Sequence, residues 1–175
     1  MLIDFMGYSA DCLLRGKVEL TAPSLTEMLN DAPVIHLTNV ILEDLADARR
    51  ITAETYPLHR DELYAVKLTG PAGSKNLPAG TVPRRLQAQI GPYNVLGRLN
   101  TAPGAPPLIA LPARGSMLPL ADATIAYVVG GILEVRDAPR ILINRDLLSW
   151  VRAADLDGDA DEARLVSNSF ASALG

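Results

Sequence analysis

The groups most able to do chemistry are few. His36, His59 and Cys12 are the only imidazoles and the only thiol in the 175-residue chain. A zinc site draws three or four ligands from His, Cys and carboxylates at recognisable spacing, and none is spaced that way. A Cys12–His36 or Cys12–His59 pair could in principle activate a thiolate. No local signature marks such a pair, and Cys12 falls in an apolar, strand-like run where a buried, inert thiol is the usual finding. Gly73-Ser74-Lys75 lacks the Gly-Lys-Ser/Thr order of a phosphate-binding loop, and Pro78 opposes the helix that should follow. Asp155, Asp157, Asp159, Asp161 and Glu162 alternate as in a calcium loop. Ala160 stands where that loop needs glycine, however, and Val166 where it needs the bidentate Glu. No G-x-S-x-G, H-E-x-x-H or dinucleotide fingerprint occurs. The expectation is a protein with no catalytic, metal-binding or cofactor-binding residues, hence not an enzyme.

The elements around these residues carry more information. Arg60-Asp61-Glu62-Leu63-Tyr64-Ala65-Val66 and Arg145-Asp146-Leu147-Leu148-Ser149-Trp150-Val151 share the pattern R-D-x-L-x-x-V, each after an apolar run. An Arg-Asp pair between two such runs reads as a tight turn joining strands. A second feature also recurs. In Val34 to Leu45 the apolar alternation slips phase at Asn39, and Leu118 to Ile125 slips at Asp122, as a β-bulge does. Gly97-Arg98-Leu99 answers Gly16-Lys17-Val18, with Gly16 at a bend, and Leu108 answers Leu25. Gly130-Gly131 between apolar runs signals a hairpin. Pro23, then Ser24 with Glu27 three residues on, opens a short helix bearing Leu25, Met28 and Leu29. In the second half, Thr101 to Pro112 has too many prolines for its counterpart.

These signals predict a mainly β fold made of two similar small β-barrel or curled-sheet units, an internal duplication. The first has one short helix, and a C-terminal helix follows the second. The divisions are residues 1–66, a Gly/Pro-rich linker or long loop at 67–85, the second unit at 86–152, and an acidic tail at 153–175. In the tail, the acids favour the N-terminus of a helix from about Asp161, with an apolar stripe of Ala163, Val166, Phe170 and Leu174. Val166, Phe170 and Leu174 are therefore partner-binding candidates, on the chain's own body or on another protein.

Composition agrees. With 49% apolar residues the chain can bury a core, and its thirteen Pro and thirteen Gly suit a turn-rich β protein. One cysteine excludes an internal disulfide and fits a reducing, cytoplasmic compartment. No run is long enough for a membrane-spanning helix, and the start, carrying Asp4 without a basic region, does not read as a signal peptide. The net charge of -4 is unevenly spread: residues 1–66 carry -6, residues 67–90 carry +4, residues 91–152 carry +2, and residues 153–175 carry -4. Such asymmetry can guide one half, or one molecule, against another.

Two stretches carry a family resemblance. Gly16-Lys17-Val18, Met28-Leu29-Asn30 and Leu37-Thr38-Asn39-Val40-Ile41-Leu42-Glu43-Asp44 are similar to the first motif of Sm-like small barrels. Leu142-Ile143-Asn144-Arg145-Asp146-Leu147-Leu148 is similar to the second, without its glycine. The first unit also resembles an uncharacterised bacterial domain family carrying Leu-Ser-Asp-Phe-Leu-Asn, where this chain has Leu25-Thr26-Glu27-Met28-Leu29-Asn30. The Sm-like resemblance implies RNA binding by Asn30, Arg60 and Arg145. Charge weighs against it, since phosphate contacts need clustered cations and the first unit is acidic. The expected role is a non-enzymatic structural or assembly module, a subunit of a larger complex with a protein partner or further copies of itself. An Sm-like RNA-binding protein, and a small-ligand sensor or enzyme, are the alternatives.

Overall fold

A computed structural model describes residues 1–69, 80–105 and 115–154. Ten antiparallel strands make one sheet that does not close on itself. They are β1 (Leu2–Ser9), β2 (Cys12–Glu19), β3 (Val34–Asp44), β4 (Arg50–His59), β5 (Leu63–Lys67), β6 (Val82–Ile90), β7 (Tyr93–Thr101), β8 (Met117–Val129), β9 (Ile132–Asn144) and β10 (Trp150–Ala153), with helix α1 (Leu25–Asp31) between β2 and β3. The order across the sheet is β10-β6-β7-β8-β9-β5-β1-β2-β3-β4. Within each half, the last strand therefore lies beside the first.

Local chemistry sets the bends. The β2–β3 register slips between Arg15 and Lys17, and the β7–β8 register between Leu96 and Arg98. A Cβ on Gly16 would lie 3.0 Å from Thr38 O, and one on Gly97 2.9 Å from Leu120 Cβ, so neither position has room for a side chain. Across from the slips, Asn39 and Asp122 take positive φ, 51° and 43°. Asn and Asp are the side chains that tolerate that region best. Gly130 and Gly131, at φ 56° and 78°, make the tight turn between β8 and β9. A 3-10 turn follows β4 at Arg60–Glu62, and another follows β9 at Arg145–Leu147. In α1, Ser24 Oγ accepts from Glu27 N at 3.2 Å, and Leu25, Met28 and Leu29 are buried.

Each half lends residues to the other's core. One cluster gathers Phe5, Leu14, Leu29, Leu37, Leu58 and Leu63 with Met117 and Leu142. The other gathers Leu86, Tyr93, Leu120, Ile125 and Ile141 with Tyr8, Leu13 and Ala65. Tyr8, Tyr93 and Tyr127 meet edge-on, with ring centroids 5.4, 5.7 and 5.8 Å apart, and Tyr93 Oη donates to Ser9 O at 2.5 Å. Each edge-on pair adds about 0.5–1.5 kcal/mol beyond the area it buries.

Of the two forms expected for each unit, barrel or curled sheet, the closed barrel is not found: the described strands form one continuous open sheet. A strand has two edges, and β5 gives one to β1 and the other to β9, leaving none for β4 to close the first half. Within the stretch expected as a linker or long loop, 67–85, Lys67 ends β5 and Val82–Arg85 begin β6. The acidic segment, the C-terminal helix and the stripe Val166, Phe170 and Leu174 lie outside the described residues, as does Leu108.

Candidate functional site

The most developed polar arrangement is the joint between the halves. β5 and β9 pair through Ala65–Ile143, Val66–Leu142 and Lys67–Ile141, and Leu68 N donates to Arg140 O at 3.2 Å. Side chains gather at the Ala65–Ile143 end of this short ladder. Asn30 Nδ2 donates to Met117 O at 3.2 Å and to Thr26 O at 3.0 Å, while its Oδ1 accepts from Met117 N at 3.0 Å. Asn144 Nδ2 donates to Leu63 O at 3.0 Å and Arg60 O at 3.3 Å, and its Oδ1 accepts from Asp146 N at 3.1 Å. Arg60 Nη1 donates to Asn30 O at 3.0 Å, a carbonyl that the end of α1 leaves without a helical partner. Arg145 N donates to Ser116 O at 2.8 Å. A hydrogen bond from Ser116, with Arg145 and the charge of Arg60 adding to it, holds the Asp146 carboxyl below its ordinary range.

The three RNA-contact candidates thus meet at one seam. Asn30 Nδ2 and Arg60 Nη1 donate to backbone carbonyls of this chain, Arg60 Nε lies 3.8 Å from Asp61, and Arg145 pairs with Asp146 at 3.3 Å. Their geometry stitches two sheet segments together. Asn144, equally part of the seam, falls inside the stretch similar to the second Sm motif but is not one of the contacts that the resemblance implies. Ser116 belongs to no motif, and its one signal is a polar residue set against an apolar strand.

His36, His59 and Cys12 do not assemble. Cys12 faces Asp44 at one end of β3, whereas His36 and the partner of His59, Val34, lie near the other. Eight residues of β3 separate His36 from Asp44 along the strand. Cys12 Sγ is 3.1 Å from Ser9 Oγ, and burial pushes the thiol pKa up against the lowering effect of that contact. Among the described residues, no group of three or more His, Cys, Asp or Glu is placed to hold a metal. A surface depression of about 350 Å³ beside the Asn39 bend is lined by Asn39, Val40, Ile41, Thr52, Ala53 and Glu54. Among the described residues lining it, Glu54 is the only ionisable group, which gives no acid–base pair there.

β4 borders the sheet on one side and β10 on the other. Asn144 is 1% exposed, covered by the 3-10 turn and β5, while His59, which likewise ends its strand before an Arg-Asp turn, is exposed. On β10, Trp150 is 38% exposed, and the Arg152 guanidinium sits 5.3 Å from the centre of its ring. No helix among the described residues is long and apolar enough to cross a membrane. No family model, curated protein or solved structure matches the chain.

Proposed function

We propose that the protein is a non-enzymatic assembly module, working in the cytoplasm, that joins further copies of itself through its two outer strands as a subunit of a larger complex. The observation that carries this reading is the β5–β9 joint. The common strand order, the pairs Gly16/Gly97 and Asn39/Asp122, and the two Arg-Asp turns support two copies of one Sm-like unit. On that reading, a fourth strand of one copy meets a fifth strand of the other at the joint. β4 and β10 are the remaining fourth and fifth strands, so the same contact can form between molecules. It is a heterologous contact, which generates rings or filaments according to its rotation.

The register follows by equivalence. Trp150 falls opposite Leu58 of the next copy, Val151 opposite Pro57, and Arg152 opposite Tyr56. Ala154 N donates to Arg85 O, so alternate residues of β10 face β6 and Val151 turns its N–H and C=O outward. Arg60 N donates to Pro33 O, which by the same alternation turns Pro57 outward on β4. Proline has no N–H to give, so the joint between molecules lacks one bond that Leu142 can supply at the inner one. At its end His59 takes the place of Asn144. The association should therefore be reversible and weaker than the covalently tethered inner joint.

Sedimentation velocity over a wide concentration range tests the reading. The expected result is a mass that rises with concentration, rises further in Pro57→Val, and stays monomeric in Val151→Pro, which removes an outward donor without touching the β10–β6 bonds. A monomer at every concentration in all three proteins would overturn it.

A further inference from the structure

Part of the outer face of the second half, turned away from its core, is buried where a water-facing sheet should be wet. Gln87, Asn94 and Ala126 are 0% exposed there, Leu96 2% and Ala154 8%. Leu96, Ala126 and Ala154 form an apolar cluster of their own, with no other described residue in it. At the matching register of the first half, before the slip in β2, Arg15 instead reaches Glu43 at 3.6 Å. One half presents an ion pair and the other an apolar patch. Around the patch the amides are mutually satisfied: Gln87 Nε2 donates to Asn94 Oδ1 at 3.0 Å, Asn94 Nδ2 to Gln89 Oε1 at 3.0 Å, and Arg152 Nε to Gln87 Oε1 at 2.9 Å. Such a surface can take an apolar cover without stranding a polar group.

We propose that this face is the seat of the chain's own C-terminal segment, residues 155–175, docked through Ala163, Val166, Phe170 and Leu174. Continuity is the first argument. Ala154 belongs to the cluster and its N donates to Arg85 O at 3.0 Å, so the described chain ends on the patch itself. Size is the second. A helix from Ala163 to Leu174 would be roughly 16 Å long, enough to cross β6, β7 and β8, which span about 10 Å. Charge is the third. Residues 153–175 carry five carboxylates and one arginine, whereas the outer face of β6 and β10 presents Arg85 and Arg152; Arg98 of β7 already pairs with Asp122 of β8. The docking leaves the outer edges of β4 and β10 available, so it stands apart from the assembly reading. It assigns the apolar stripe to the chain's own body and not to a partner.

Thiol labelling decides it, in the full chain with Cys12→Ser. Leu96→Cys, or Ala126→Cys should the first fail to fold, places a thiol beneath the segment, and Thr52→Cys on exposed β4 is the control. The expected result is a slow reaction at residue 96 that is independent of protein concentration. Phe170→Asp should speed it about ten- to a hundredfold, the equivalent of losing one buried aromatic. A thiol at residue 96 as reactive as one at residue 52, or protection unchanged by Phe170→Asp, would overturn the proposal. Protection that appears only at high protein concentration would overturn docking within one chain and place the segment on a second copy.

Discussion

Asn30 shows how a side chain's job depends on distant chain. Locally it closes a short helix, which is legible from the sequence together with the Ser24 cap, since both are contacts within four residues. Its reciprocal bonds to Met117 cross between the halves, and no local pattern announces them. Asn30, Arg60 and Arg145, which the resemblance to Sm-like proteins offers as RNA contacts, lie together at the joint, where Asn30 and Arg60 bond backbone groups of their own chain. Asn30→Ala leaves the Met117 N–H and C=O short of partners. It should cost about 1–3 kcal/mol, seen as a lower urea midpoint with an unchanged slope. His59→Ala, by contrast, removes a side chain that is exposed in the single molecule. It should leave the unfolding free energy within about 0.5 kcal/mol of the parent while lowering the proposed association in sedimentation.

Among the elements, irregularities were easier to read than pairings. The phase slips at Asn39 and Asp122, the glycine pair between β8 and β9, and the Arg-Asp turns all appear where the residue types place them. Each is fixed by backbone sterics within a few residues. Which edge β5 would take was not legible, because Leu63 to Lys67 fits either closure of its own half or pairing with β9. The same limit explains the linker boundary, since Val82–Arg85 become a strand only by lying against β7 and, at Arg85, the end of β10. Gly97 offers the sharpest test at this scale. Gly97→Ala would force a methyl to within 2.9 Å of Leu120 Cβ and 3.2 Å of Ala123 Cβ. It should destabilise by about 1–3 kcal/mol, measured by thermal or urea unfolding, with Gly80→Ala, where the added methyl meets no atom within 4 Å, as a comparison for backbone strain alone.

At the level of the whole molecule, the halves share their interiors, and the tyrosine cluster reports on that sharing. Tyr8 comes from the first half and Tyr93 and Tyr127 from the second, and burial raises the pKa of all three above the ordinary value. Above pH of about 10 the unfolded chain sheds phenolic protons that the folded chain keeps. The stabilisation is thus full below that pH and falls as pH rises toward the folded values. Tyrosinate absorbance should appear in two parts, the later one coinciding with loss of the sheet's circular dichroism. Smooth ionisation of all five tyrosines near pH 10 in a folded protein would contradict it. The proposed joint between molecules has its own direct test in Arg152→Cys with Tyr56→Cys, on a Cys12→Ser background. These positions fall opposite each other in the register deduced for β10 against β4 of the next copy. Mild oxidation should give disulfide-linked dimers and larger species, with either single thiol alone giving no species beyond a dimer. If the double variant stays monomeric under oxidation, at concentrations where the parent is tested for association, the strands do not meet and the protein does not assemble in this way.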